Sequence, residues 1–114
     1  MTIKADLTED HDLSLVLETK TLEAANVSQF LSRLDEAGGT PYESAVIDLG
    51  GVEMIDSSGV GALLQVHKRL GESRGPVVLK NVGATVVSVL ELLRLHRVFE
   101  IEVSRPPEAS QMES

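Results

Sequence analysis

The side chains best placed to do chemistry fall in one short segment, Met54-Ile55-Asp56-Ser57-Ser58-Gly59. Asp56, Ser57 and Ser58 are all good helix N-cap residues, because an oxygen on a short side chain can accept from an amide that the first helical turn leaves unpaired. A well-capped helix start is therefore the simplest reading. A serine in that position could also be a nucleophile, but it would need a base held by a third group. The histidines offered for that role are His11 in an early turn, His67 about two turns down the same helix, and His96 after a later helix. No Gly-x-Ser-x-Gly elbow surrounds either serine. Gly59-Val60-Gly61 resembles the start of a dinucleotide fingerprint, yet Leu64 stands where its third glycine belongs. Tight packing of the helix start against a sheet is the better use for both glycines. No Gly-Lys-Ser/Thr phosphate loop, metal-ligand spacing or carboxylate pair emerges, so no catalytic residue, cofactor or metal is assigned. What remains is a switch. A phosphate on Ser57 would add about −1.5 to −2 charges, favoured by the helix dipole and opposed by Asp56, so it would alter a binding surface more readily than a fold.

The surrounding sequence must position that loop. Ile3, Ala5 and Leu7 alternate with polar residues, as do Leu13, Leu15 and Leu17 after the polar cluster Thr8 to Asp12, which predicts an opening hairpin. Val27, Phe30, Leu31 and Leu34 have helical spacing, with Asn26 and Gln29 spaced as a capping pair and Gly38-Gly39 as the stop. Ala45-Val46-Ile47-Asp48-Leu49, entered after Pro41 and left through Gly50-Gly51, reads as a central strand covered on both faces. Val60, Leu63, Leu64, His67 and Leu70 then mark a second helix, with Lys68-Arg69 at its C-terminal dipole and Gly71 or Gly75-Pro76 beyond. Val77 to Leu79 predicts a strand. Val86, Val89, Leu90 and Leu93 predict a third helix carrying a second apolar row, Val87, Leu92 and Leu95. Val98 to Val103 alternates as a last strand, and Arg105-Pro106-Pro107 opens a polar, flexible tail to Ser114. The expectation is an α/β fold with a mostly parallel mixed sheet of about five strands and crossover helices. The ordered domain would span 1–104 and the tail 105–114. The Asp56 to Gly59 loop would lie at the carboxyl edge of the sheet, where such folds carry function.

Composition narrows the partner. The chain has 114 residues, 42% of them hydrophobic, enough for one core. Its net charge of −8 argues against nucleic acid, and aromatic content of 3% without Trp leaves no base-stacking platform. There is no cysteine. Thiolate sites and disulfides are excluded, and a cytoplasmic location is expected. Neither a signal peptide nor a bilayer-spanning run is present, so no direct membrane insertion is expected. The acidic surface favours a monomer when the protein is free.

Val46-Ile47-Asp48-Leu49, the run from Met54 through Leu64, and the following Lys68-Arg69 together resemble the STAS domain, in particular bacterial anti-sigma factor antagonists. That resemblance implies that Ser57 is phosphorylated by an anti-sigma factor that is also a serine kinase. The unphosphorylated form would bind the kinase and free its sigma factor; phosphorylation would abolish binding, and a phosphatase would restore it. It also implies a partner-binding set of Glu23, Asp56, Ser57, Ser58, Gly59, Val60 and Gly61, and no enzymatic activity. Three departures stand out. The family's Gly-Glu-Leu-Asp is Lys20-Thr21-Leu22-Glu23 here, its Gly-Leu after the third helix is Arg94-Leu95, which predicts a different helix ending, and little chain remains for a fourth helix. The altered loop motivates an alternative: a STAS subunit docked permanently on a partner such as a lipid-transport ABC ATPase or a signalling scaffold. A small-molecule or nucleotide sensor built on Gly59 to Gly61 is a third.

Overall fold

The computed structural model describes residues 2–7, 9, 12–37, 43–70 and 76–103. In chain order the elements are β1 (Thr2–Leu7), β2 (Asp12–Glu18), β3 (Thr21–Leu22), α1 (Ala24–Ala37), β4 (Ser44–Asp48), β5 (Met54–Ile55), α2 (Ser57–Leu70), β6 (Val78–Val82), α3 (Ala84–Leu92), a 3₁₀ turn (Leu95–Arg97) and β7 (Glu100–Val103). The main sheet has five strands in the order β1-β2-β4-β6-β7, antiparallel only between β1 and β2. β3 and β5 form a separate two-stranded parallel ladder. The expected mixed sheet with its opening hairpin is therefore present. The predicted Gly38-Gly39 stop, the entry at Pro41 and the polar tail lie outside the described residues, as do His11 and Gly71.

Strand order explains the layering. From β2 to β4 to β6 to β7 the chain always steps the same way, and right-handed crossovers then place every helix on one face of the sheet. The alternating side chains of the strands agree. Leu13, Leu15, Leu17, Ile47 and Leu79 are buried in a single core with Phe30 and Leu34 of α1, Leu63 and Val66 of α2, and Val86 and Leu90 of α3. On the other face Ser14, Glu18 and Lys80 are exposed, while Val16, Val46 and Val78 are half-buried. The central strand is thus covered on one face, not both. Its apolar run misled because Val46 stands in register between Ser14 and Val78, which shield it without a helix above.

Helix ends also differ from expectation. α1 starts two residues before Asn26, and Glu23 occupies its cap: the Asn26 and Val27 amides both donate to the Glu23 carbonyl at 3.0 Å. Asn26 Oδ1 reciprocates by accepting from the Glu23 amide (2.9 Å), the backward half of a capping box. At the end of α3, Arg94 takes φ 59° and ψ 27°. This is the left-handed ending that a glycine makes without strain, so the Arg94-Leu95 pair keeps the ending expected to change. Of the second α3 row, Leu95 is buried and Val87 half-buried, whereas Leu92 is fully turned to solvent.

That strain carries a prediction. Left-handed backbone costs a side-chain-bearing residue about 1–2 kcal/mol, partly offset by the greater unfolded freedom of glycine. Arg94→Gly is expected to stabilise the protein by about 1 kcal/mol in urea denaturation. Unchanged or lower stability would contradict it.

Candidate functional site

The Asp56 to Gly59 loop is held by backbone before any side chain takes part. Thr21 pairs with Met54 and Leu22 with Ile55 in the β3–β5 ladder. The Lys20 carbonyl accepts from the Glu53 amide (2.7 Å) and the Met54 amide (3.2 Å), and the Leu22 carbonyl accepts from the Asp56 amide (3.2 Å). Lys20 to Glu23 is therefore the bed on which the loop lies. Asn26 braces the bed from below, its Nδ2 donating to the Thr21 carbonyl at 2.7 Å and to Thr19 Oγ1 at 3.5 Å. The family resemblance puts Glu23 on the partner surface but does not reveal this ladder. Two-residue strands carry no readable alternation.

Asp56 is the cap of α2. Its Oδ1 accepts from the Gly59 amide at 2.9 Å, and its carbonyl accepts from the Val60 amide at 2.9 Å. Its Oδ2 reaches the Ala24 amide at 3.4 Å, so one carboxylate joins the N-termini of α1 and α2. Both helix dipoles favour a negative charge there. Ser57 is the first residue of α2; its side chain is exposed and makes no hydrogen bond to another described residue. Ser58 is half-buried.

The two glycines have different roles. A Cβ on Gly59 would overlap the Leu22 carbonyl oxygen and lie 2.7 Å from Ile55 Cγ1, so only glycine lets α2 begin against the β3–β5 ladder. Gly61 is exposed, and a Cβ there would meet nothing within 4 Å. The expectation of tight packing holds for Gly59 and fails for Gly61. Glycine inside an exposed helix is about 0.8–1.0 kcal/mol less favourable than alanine. Gly61→Ala should therefore raise stability by about 0.5–1 kcal/mol, read from the denaturation midpoint; a destabilised variant would show an unseen contact at this position.

Of the expected partner-binding residues, Glu23, Asp56, Ser57 and Gly61 lie exposed and Ser58 half-exposed, whereas Gly59 and Val60 face the core. The last two shape the surface rather than offer side chains to it. Met54, 56% exposed, adds an adaptable apolar side chain at the head of the loop. The described histidines lie elsewhere. The His67 ring packs edge-on against Phe99 with centroids 6.1 Å apart, and His96 is in the 3₁₀ turn. Among the described residues no group of His, Cys, Asp or Glu could hold a metal ion, and no helix is long and apolar enough to cross a membrane.

Comparison with known proteins points the same way as the loop. The STAS domain family model matches residues 4–106. Among solved structures, an anti-sigma-factor antagonist (STAS) domain protein from Planctomyces limnophilus superposes with a TM-score of 0.75 at 25% identity, covering 96% of each chain. The phosphorylated form of the Bacillus cell fate determinant SpoIIAA aligns at TM-score 0.67 and 19% identity, over 99% of this chain and all of that one (100%). A part of a murine Solute Carrier 26 anion transporter, 18% of its length, covers 90% of this chain at TM-score 0.63 and 18% identity. With the mixed five-stranded sheet, the helices on one face and the ladder-backed Asp-Ser-Ser-Gly loop, the family match over most of the chain leaves one conclusion: this protein belongs to the STAS domain family.

Proposed function

We propose that the protein is an anti-sigma factor antagonist, a binding module without catalytic activity of its own, switched by phosphorylation of Ser57. The observation that carries this reading is the division of labour at the start of α2. Asp56 satisfies the helix amide, so the Ser57 hydroxyl makes no hydrogen bond among the described residues and stands exposed, as do Met54 and Gly61. In the unphosphorylated form this surface binds an anti-sigma factor that is also a serine kinase, freeing a sigma factor. The kinase then modifies Ser57 and lets go, and a phosphatase resets the switch.

Electrostatics supports a local switch. Among the described residues no basic side chain hydrogen-bonds to residues 54–59. The added charge would sit in the partner's path. The test is incubation with a serine kinase encoded beside the protein and ATP, followed by mapping of the phosphate by mass spectrometry. Modification of Ser57 is expected. Phosphate on Ser58 alone would contradict a switch at Ser57, and co-purification with an ATPase subunit that phosphatase treatment leaves unchanged would replace this reading with that of a permanently docked subunit.

A further inference from the structure

A second surface lies at the edge of the main sheet and shares no residue with the Ser57 loop. β7 is the last strand, and its outer side pairs with no described strand. The Glu100 amide donates inward to the Val77 carbonyl at 2.9 Å. Backbone polar groups alternate in direction along a strand, so the N–H and C=O of Ile101 point outward. Ile101 is in register with Leu79, whose side chain is fully buried, and therefore faces the helix side. On that side a groove of about 350 Å³ lies between α3, the 3₁₀ turn and β7, lined by the apolar Val87, Phe99, Ile101 and Val103, by Glu91 and His96, and at its margin by Glu100. Val103 is 52% exposed.

We propose that β7 is a receiving edge for an extended basic segment of a partner protein. The segment adds as a further strand, exchanges backbone hydrogen bonds with Ile101, places alternate apolar side chains in the groove, and sets lysines or arginines beside Glu100 and Glu102. Charge selects this occupant. Every charged side chain on β7 is a carboxylate, Glu91 adds another in the groove, and the chain carries a net −8. A second copy would bring Glu100 and Glu102 against their like, and like charges on paired strands are unfavourable. Residues 104–114 supply one basic residue, Arg105, against Glu108 and Glu113, and lack an apolar–basic alternation. Edge glutamates also guard against promiscuous pairing, but that guard does not act against a basic strand.

The test uses the full isotope-labelled chain and a blocked peptide of about eight residues alternating valine and lysine, within the usual length of a strand. The Ile101 amide is expected to exchange freely in the protein alone and to slow by about tenfold or more under saturating peptide, as a new ladder bond forms. Resonances of Val87, Phe99 and Val103 should shift, and the double variant Glu100→Lys, Glu102→Lys, checked for an unchanged melting temperature, should bind about tenfold more weakly through lost cross-strand charge pairs. An alternating valine–glutamate peptide should leave the spectrum unchanged. Four results would overturn the proposal: no shift with the basic peptide, shifts centred on the Ser57 loop, affinity indifferent to the double variant, or Ile101 protection that grows with protein concentration alone. The last would assign the edge to a second copy.

Discussion

Gly59→Ala is expected to destabilise the protein by about 3 kcal/mol or more, above the usual range for one surplus methyl in a core. The methyl would meet the Leu22 carbonyl and Ile55 Cγ1, and neither can yield easily. The Leu22 carbonyl already accepts from the Asp56 amide, and Leu22 and Ile55 are both buried and paired across the β3–β5 ladder. Relief would require α2 to move away from the ladder, which would pull Asp56 from the Gly59 amide and lose a cap worth about 1 kcal/mol. Against a total stability of about 5–15 kcal/mol this is a large fraction, and at several degrees per kcal/mol the melting temperature should fall by about 10 °C or more. Circular dichroism melts of the two proteins decide it. A variant that melts with the parent would mean that the helix start does not rest on Leu22.

Ser57→Asp should do the opposite, leaving the fold and removing the interaction. The side chain is exposed and unbonded among the described residues, so no contact is lost. A carboxylate in the first turn gains about 0.3–1 kcal/mol from the helix dipole, offset in part by the like charge of Asp56 beside it. Stability should therefore stay within about 1 kcal/mol of the parent. On the proposed function the same charge would meet a partner surface shaped for a hydroxyl, and a misplaced charge at an interface costs several kcal/mol. Binding to the anti-sigma kinase should weaken by about 100-fold, which is about 2.7 kcal/mol, while Ser57→Ala should bind close to the parent. Calorimetric titration of the three proteins reads both effects. Equal affinity for parent and Ser57→Asp would remove Ser57 from the interface.

Much of this architecture is legible in the sequence because its signals are periodic. Leu13, Leu15 and Leu17 alternate and are all buried; Phe30 and Leu34 stand on the face their spacing implies. Where reading failed, a short-range rule gave way to a neighbour in space. Val46 resembled the residue of a doubly covered strand, yet only Ser14 and Val78 flank it. α2 buries Ala62 and Val66 while His67, counted on the apolar row, is half-buried, because the packed face is turned slightly from the one that Leu64 and His67 marked. Three adjacent cap candidates are not ranked by their residue types alone; Asp56 takes the role with its bond to the Gly59 amide and also reaches the Ala24 amide of α1. The β3–β5 ladder was too short to have a pattern. Arg94 kept a glycine's conformation because the Glu91 and Leu95 carbonyls close the turn around it, accepting from the Arg94 and Val98 amides at 2.9 Å.

The most direct measurement is a titration of the cognate kinase with the protein in three states: unmodified, stoichiometrically phosphorylated on Ser57, and phosphorylated then treated with phosphatase. Binding is expected in the first and third states and absent in the second, with circular dichroism melts of the three differing by no more than a few degrees. Equal binding in all three states would contradict a switch at Ser57, and loss of binding accompanied by loss of the fold would contradict a switch that acts at the surface.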